Sequence, residues 1–137
     1  MLGAGVFGGQ YFEDMSEFPA EWSAAVALRG PPGPSHNMFG VRSGLSREEW
    51  AAKGWLRPQD PLGWFQWYCR YTLGRRTDDD VRQIARHNAF RRHAAQVAKH
   101  GAGDLLRRRV QRQALLQWAH EPDPDCEKNI FIISCRL

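Results

Sequence analysis

Residues 55–76 read WLRPQDPLGWFQWYCRYTLGRR and hold three of the six tryptophans and two of the three tyrosines. Between Leu62 and Leu73, the residues Leu62, Trp64, Phe65, Trp67, Tyr68, Tyr71 and Leu73 leave almost no polar face on a helix. A helix that is apolar all round is stable in water only when it is buried all round. The chain is therefore expected to place one aromatic helix, about 61 to 73, at the centre of a small core. Asp60 is the expected N-cap, Pro61 fits the first helical position, and Gly74 is the expected stop.

Helical signals flank this run. Ser46-Arg47-Glu48-Glu49 spells a capping box, which predicts a short helix to about Lys53, ended by Gly54. Thr77-Asp78-Asp79-Asp80 is a second start signal, with three acids facing the positive helix end. The helix it opens is expected to reach about His100, ended by Gly101 and Gly103. Val81, Ile84, Ala85, Asn88 and Ala95 share one side of it, and Phe90, Ala94 and Val97 fall opposite. One long helix would thus change packing partners midway or kink near His87–Phe90. Asp104 is the expected cap of a last helix to about His120, with an apolar arc through Leu106, Val110, Ala114, Leu115 and Trp118.

The ends differ in kind. GAGVFGGQYF predicts a short extended segment with glycine turns, Glu21–Leu28 a short helix, and RGPPGPSHN a loop. Ile130-Phe131-Ile132-Ile133 is β-prone and follows an acidic, proline-broken spacer, so it suits an edge strand or a partner-binding tail. The expected fold is mainly α: a single small helical domain around the buried aromatic helix. Residues 1–121 would form the domain, irregular over 1–44, and 122–137 a C-terminal tail.

Length and charge bound the function. A chain of 137 residues fits one domain. No apolar run approaches the ~18 residues that span a membrane, and the N-terminus lacks the basic and apolar regions of a signal peptide. Cys69, Cys126 and Cys135 are an odd set with no CxxC, which points to reduced thiols and a cytoplasmic location. The formal net charge of +4 is unevenly spread. Residues 61–120 carry twelve basic and four acidic side chains, a net +8, while residues 1–60 carry five and seven. A segregated positive block favours an anionic partner such as nucleic acid or another phosphorylated anion.

Several blocks together resemble a family of small proteins from bacteria and filamentous fungi. They are VFGGQYF (6–12), EFPAEW (17–22), FGV (39–41), the run 53–76, DVRQIARHNAFRRHAAQV (80–97) and VQRQALLQWAH (110–120). Members often carry Trp where His87-Asn88 stands and a Cys-containing loop at Gly101–Asp104. No activity, fold or cofactor is established for that family, so the resemblance implies only that residues 6–120 behave as one unit.

Familiar chemical motifs fit poorly. Gly3 to Gly8 satisfies GxGxxG, but a dinucleotide site needs a strand before it and a helix after it. A glycine turn packing Phe7, Tyr11 and Phe12 is the plainer reading. His36, His87, His93, His100 and His120 form neither HExxH nor an i, i+4 pair, so no metal and no cofactor are expected. Cys69 in mid-helix suits packing better than nucleophilic catalysis.

The arginines carry more. The basic block has eleven arginines and one lysine, Lys99. Arginine grips phosphate with a planar fork and stacks on aromatics. Arg75, Arg76, Arg86, Arg91, Arg92, Arg107, Arg108 and Arg112 are the candidate contacts. Antiparallel packing of the last two helices would bring two rows together. Structural stacking on Trp and Tyr, or a GC-rich genome, would also explain the richness. The functional expectation is non-enzymatic binding of a polyanion, nucleic acid foremost. The alternative is a small enzyme for an anionic or aromatic metabolite, with Arg75, Arg76 and His93 near the aromatic helix. A further option is a protein partner docking on the 126–137 tail.

Overall fold

The computed structural model describes residues 4–7, 16–24, 36–101 and 103–122. These residues are mainly helical, with no strand among them and one isolated bridge between Arg57 and Asp60. The helices are α1 (Ala4–Phe7), α2 (Ala20–Ala24), α3 (Arg47–Ala52), α4 (Trp64–Thr72), α5 (Asp80–Ala89), α6 (Arg91–Gly101) and α7 (Arg109–Gln117). Residues 8–12, 25–35 and the 126–137 tail, with the strand expected at 130–133, lie outside the described residues. Two compact units emerge, residues 44–89 and the segments on either side.

In the unit of residues 44–89 the aromatic helix is the core. Trp64, Phe65, Gln66, Trp67, Tyr68 and Cys69 of α4 are all buried. Trp64 stacks on Tyr68 at 5.0 Å and lies parallel to His87 of α5 at 5.7 Å. The Trp67 indole donates to Asp80 Oδ1 at 2.9 Å, tying α4 to the start of α5. Ser46 caps α3 with the full reciprocal capping box, as its spacing predicts.

The start of α4 departs from expectation. Asp60 does not cap it. Gly63 does, with φ of 88°, a conformation that side chains other than glycine rarely adopt. A Cβ there would stand 2.9 Å from the Trp50 ring and 3.3 Å from Leu56. Asp60 is instead buried in a turn, where its carboxylate accepts from Arg75 at 2.6 Å and from Arg70 at 3.0 Å. A buried carboxylate needs such partners, and two arginines outcompete the backbone of a helix start.

The run 78–100 is two helices, α5 and α6, broken at Phe90. The change of apolar face near His87–Phe90 is where the break falls. In the other unit α6 and α7 pack together. Phe90 stacks on Trp118 at 4.2 Å, and Gly101 lies against Arg108 and Arg112, so the two helices run antiparallel. Val97, Leu115 and Leu116 fill the seam. Residues 4–7, expected to be extended, form a helical turn whose Val6 and Phe7 are buried. Gln113 explains this: its amide donates to Val6 O at 2.6 Å, and its oxygen accepts from Phe39 N at 3.3 Å. The last helix starts at Arg109 rather than after Asp104. Asp104 Oδ1 accepts from Leu106 N, which favours a tight turn over a helical first turn.

Candidate polyanion-binding surface

The eight arginines expected to bind an anion stand in different environments. Arg75 is held by buried Asp60. Arg76 lies over the Tyr71 ring at 3.9 Å and donates to the Tyr71 and Arg75 carbonyls. Arg86 sits above the Trp50 ring at 5.9 Å, and burial lowers its pKa from the usual arginine value. An arginine so lowered is still a cation at neutral pH. These three have structural partners of the cation–π and ion-pair kind.

Arg112 is fully buried. Its Nε donates to Arg107 O at 3.0 Å, its Nη1 to Pro122 O at 2.8 Å, and its Nη2 to Gly101 O at 2.6 Å and Asp104 O at 3.3 Å. A guanidinium with no exposed surface does not meet a polyanion. Arg112 instead fastens both ends of the turn between α6 and α7. Arg109 is likewise turned onto backbone, donating to the Phe39 carbonyl.

Arg91, Arg92, Arg107 and Arg108 are different. Arg91 and Arg92 are exposed at the start of α6, with no hydrogen-bond or ion-pair partner among the described residues. Arg107 and Arg108 are exposed in the turn before α7. Together with Lys99 and His100, from the last turn of α6, they line a concavity of about 560 Å³. Asp104 approaches Arg107 at 3.6 Å, but both side chains are solvated, and such pairs contribute little.

The local sequence dictates this convergence. Basic residues favour the negative C-terminal end of a helix, which places Lys99 and His100 at the end of α6. Gly101 and Gly103 then let the chain double back, with Gly103 at φ of 74°. Arg108 has φ of 57°, an unfavourable left-handed conformation for arginine. Three permanent cations and a histidine thus face one hollow, held there by Arg112 from beneath. Like charges so placed repel one another unless an anion screens them.

Lys99 and His100 were not among the arginines singled out from sequence. Their signal was present: basic residues in the last turn before a glycine stop, seven to ten residues from an Arg-Arg-Arg run. His93 lies apart from this hollow, beside Phe90 at 5.1 Å, and burial followed by the charge of Arg92 lowers its pKa from the usual 6.5. Among the described residues no cluster of three His, Cys, Asp or Glu side chains is placed to hold a metal ion, and no helix is long and apolar enough to cross a membrane.

No family model matches the chain, and no curated protein or solved structure shows significant similarity to it.

Proposed function

We propose that the protein binds a polyanion, nucleic acid foremost, without catalysing a reaction on it. The observation that carries this reading is the hollow lined by Lys99, His100, Arg107 and Arg108. Arg91 and Arg92, at the other end of α6, extend the cationic surface. Lys99 lies eight positions after Arg91 on the helix, about 12 Å at 1.5 Å per residue. That spacing matches a backbone with repeated phosphates better than a single small anion. The phosphate backbone supplies most of the affinity in such complexes, and it makes them strongly salt-dependent.

The test is fluorescence anisotropy on a random-sequence duplex and on single strands of DNA and RNA, across a series of salt concentrations. Arg91, Arg92, Lys99, Arg107 and Arg108 would neutralise up to five phosphates. The expected slope of log affinity against log salt is then about −4.5 for duplex DNA. The variant Lys99→Gln/Arg107→Gln/Arg108→Gln should lose most of the affinity and flatten the slope by about two to three. Arg47→Gln, an exposed arginine in the 44–89 unit, should change neither. Salt-independent binding, or equal loss in both variants, would overturn the reading.

A further inference from the structure

The turn that carries Arg107 and Arg108 also carries two exposed leucines. Leu105 is 52% and Leu106 78% exposed, and Val110, one helical turn on, is 51% exposed. Large apolar side chains left this open need a reason when they are contiguous. These two directly precede Arg107 and Arg108 in the same exposed turn, so apolar and cationic side chains stand next to one another there. An anion with an apolar interior fits that pairing. Duplex DNA has one: its base stack, reached between phosphate rows.

We propose that the Leu105–Leu106 turn is a wedge that enters a DNA duplex between base steps from the minor groove. The proposal rests on the polyanion reading above. Three features support it. Aliphatic wedges inserted between base steps, flanked by basic side chains, are how minor-groove proteins unstack and kink DNA. The side chains beside the hollow are aliphatic, whereas binders of single strands use aromatic platforms on which bases stack. Among the described residues of this unit no large aromatic side chain is exposed, since Phe90 and Trp118 are stacked on one another. The wedge is also held firmly at its base. Asp104 Oδ1 accepts from Leu106 N at 2.9 Å, and Arg112 binds the Asp104 and Arg107 carbonyls on either side of the leucines. A rigid base lets binding energy be spent on the DNA rather than on ordering the loop.

The experiment uses the full chain and an end-labelled duplex with a central TA step, the kind most easily unstacked. Energy transfer between the ends reports bending, and 2-aminopurine at the central step reports unstacking. Wild type should shorten the end-to-end distance, as a kink of about 20–90° would, and brighten the 2-aminopurine. Leu105→Ser/Leu106→Ser should still bind with the same salt slope but abolish both signals. Its circular dichroism melt should match wild type, because both side chains are exposed. Binding without bending or unstacking in the wild type overturns the wedge and leaves the polyanion reading standing. A variant that still kinks the duplex also overturns the wedge. No binding to the duplex overturns the wedge, and leucine-dependent capture on phosphatidylserine vesicles would then assign the turn to an anionic lipid surface.

Discussion

Arg108 and Arg112 stand one helical turn apart and carry the same side chain, but one faces the wet hollow and the other is sealed beneath it. Their roles predict opposite phenotypes. Arg112→Ala would leave four carbonyls without their shared cationic donor. Hydrogen bonds to a charged group contribute about 1.5–3 kcal/mol each, and they are not additive, so a loss of ~3 kcal/mol or more is expected. Chemical denaturation measures it. Arg112→Lys should not rescue the loss, because an ammonium cannot reproduce the fork. Arg108→Asn should leave stability unchanged or slightly raised, since asparagine tolerates the left-handed conformation better. Nothing local in the sequence separates these two arginines, although the i, i+3, i+4 spacing of Arg112 with buried Leu115 and Leu116 is a weak sign of an inward face. Asp60 is the parallel case. Read locally, Asp-Pro before an apolar run is a helix cap, and the pull of Arg70 and Arg75, ten and fifteen residues away, lies outside any local window.

Elements were more legible than their boundaries. The capping box of α3 is a purely local device, so its residues predict it in full. The aromatic core of α4 follows from composition, because a face-less apolar helix has nowhere else to go. The break between α5 and α6 was visible as a change of apolar face near Phe90, although no glycine or proline marks it. The candidate hollow was half legible. Its arginines stood out as a run, but their meeting with Lys99 and His100 depends on the turn between α6 and α7, whose closure is set by Arg112. One element boundary makes a sharp prediction. Gly63→Ala at the start of α4 adds a methyl to a φ of 88° and places it 2.9 Å from Trp50. The strain should cost about 1–3 kcal/mol. It should also quench or shift Trp50 fluorescence, because the ring must move. A mutant as stable as wild type would mean that the turn relaxes at no cost.

At the scale of the whole molecule, acid stability tests two charged sites at once. The His93 imidazole has a lowered pKa in the fold, from burial and from Arg92. The unfolded chain therefore takes up a proton first as pH falls from about 7, and stability declines until the pH passes below the folded value. Asp79 shifts by a different cause. The hydrogen bond from Arg82 leads, burial opposes it, and the charge of Arg82 and the Gln83 amide assist, so its carboxyl lies below the usual range. Its contribution is complete above the ordinary carboxylate value near 4 and is lost as pH falls through the folded value. Thermal melts against pH should then show one decline below neutrality and another in strong acid. His93→Gln should remove the first, and Asp79→Asn should shrink the second, which Asp80 and Glu48 share through their own lowered carboxyl pKa values. A profile unchanged by His93→Gln would show that another group titrates there.

The arginine that binds four carbonyls also bears on how this sequence can drift. A genome that shifts from GC-rich to AT-rich codons turns arginines into lysines wherever only the charge matters. Under the proposed function the hollow would tolerate that exchange at Arg107 and Arg108, where a point charge would still meet a phosphate. Arg112 does not, because only a fork reaches Gly101, Asp104 and Pro122 together. In descendants under such a shift, Arg112, and Arg109 with its fork on the Phe39 carbonyl, should outlast Arg107 and Arg108. A site that keeps its arginine while its neighbours turn to lysine would then mark the scaffold, not the binding surface.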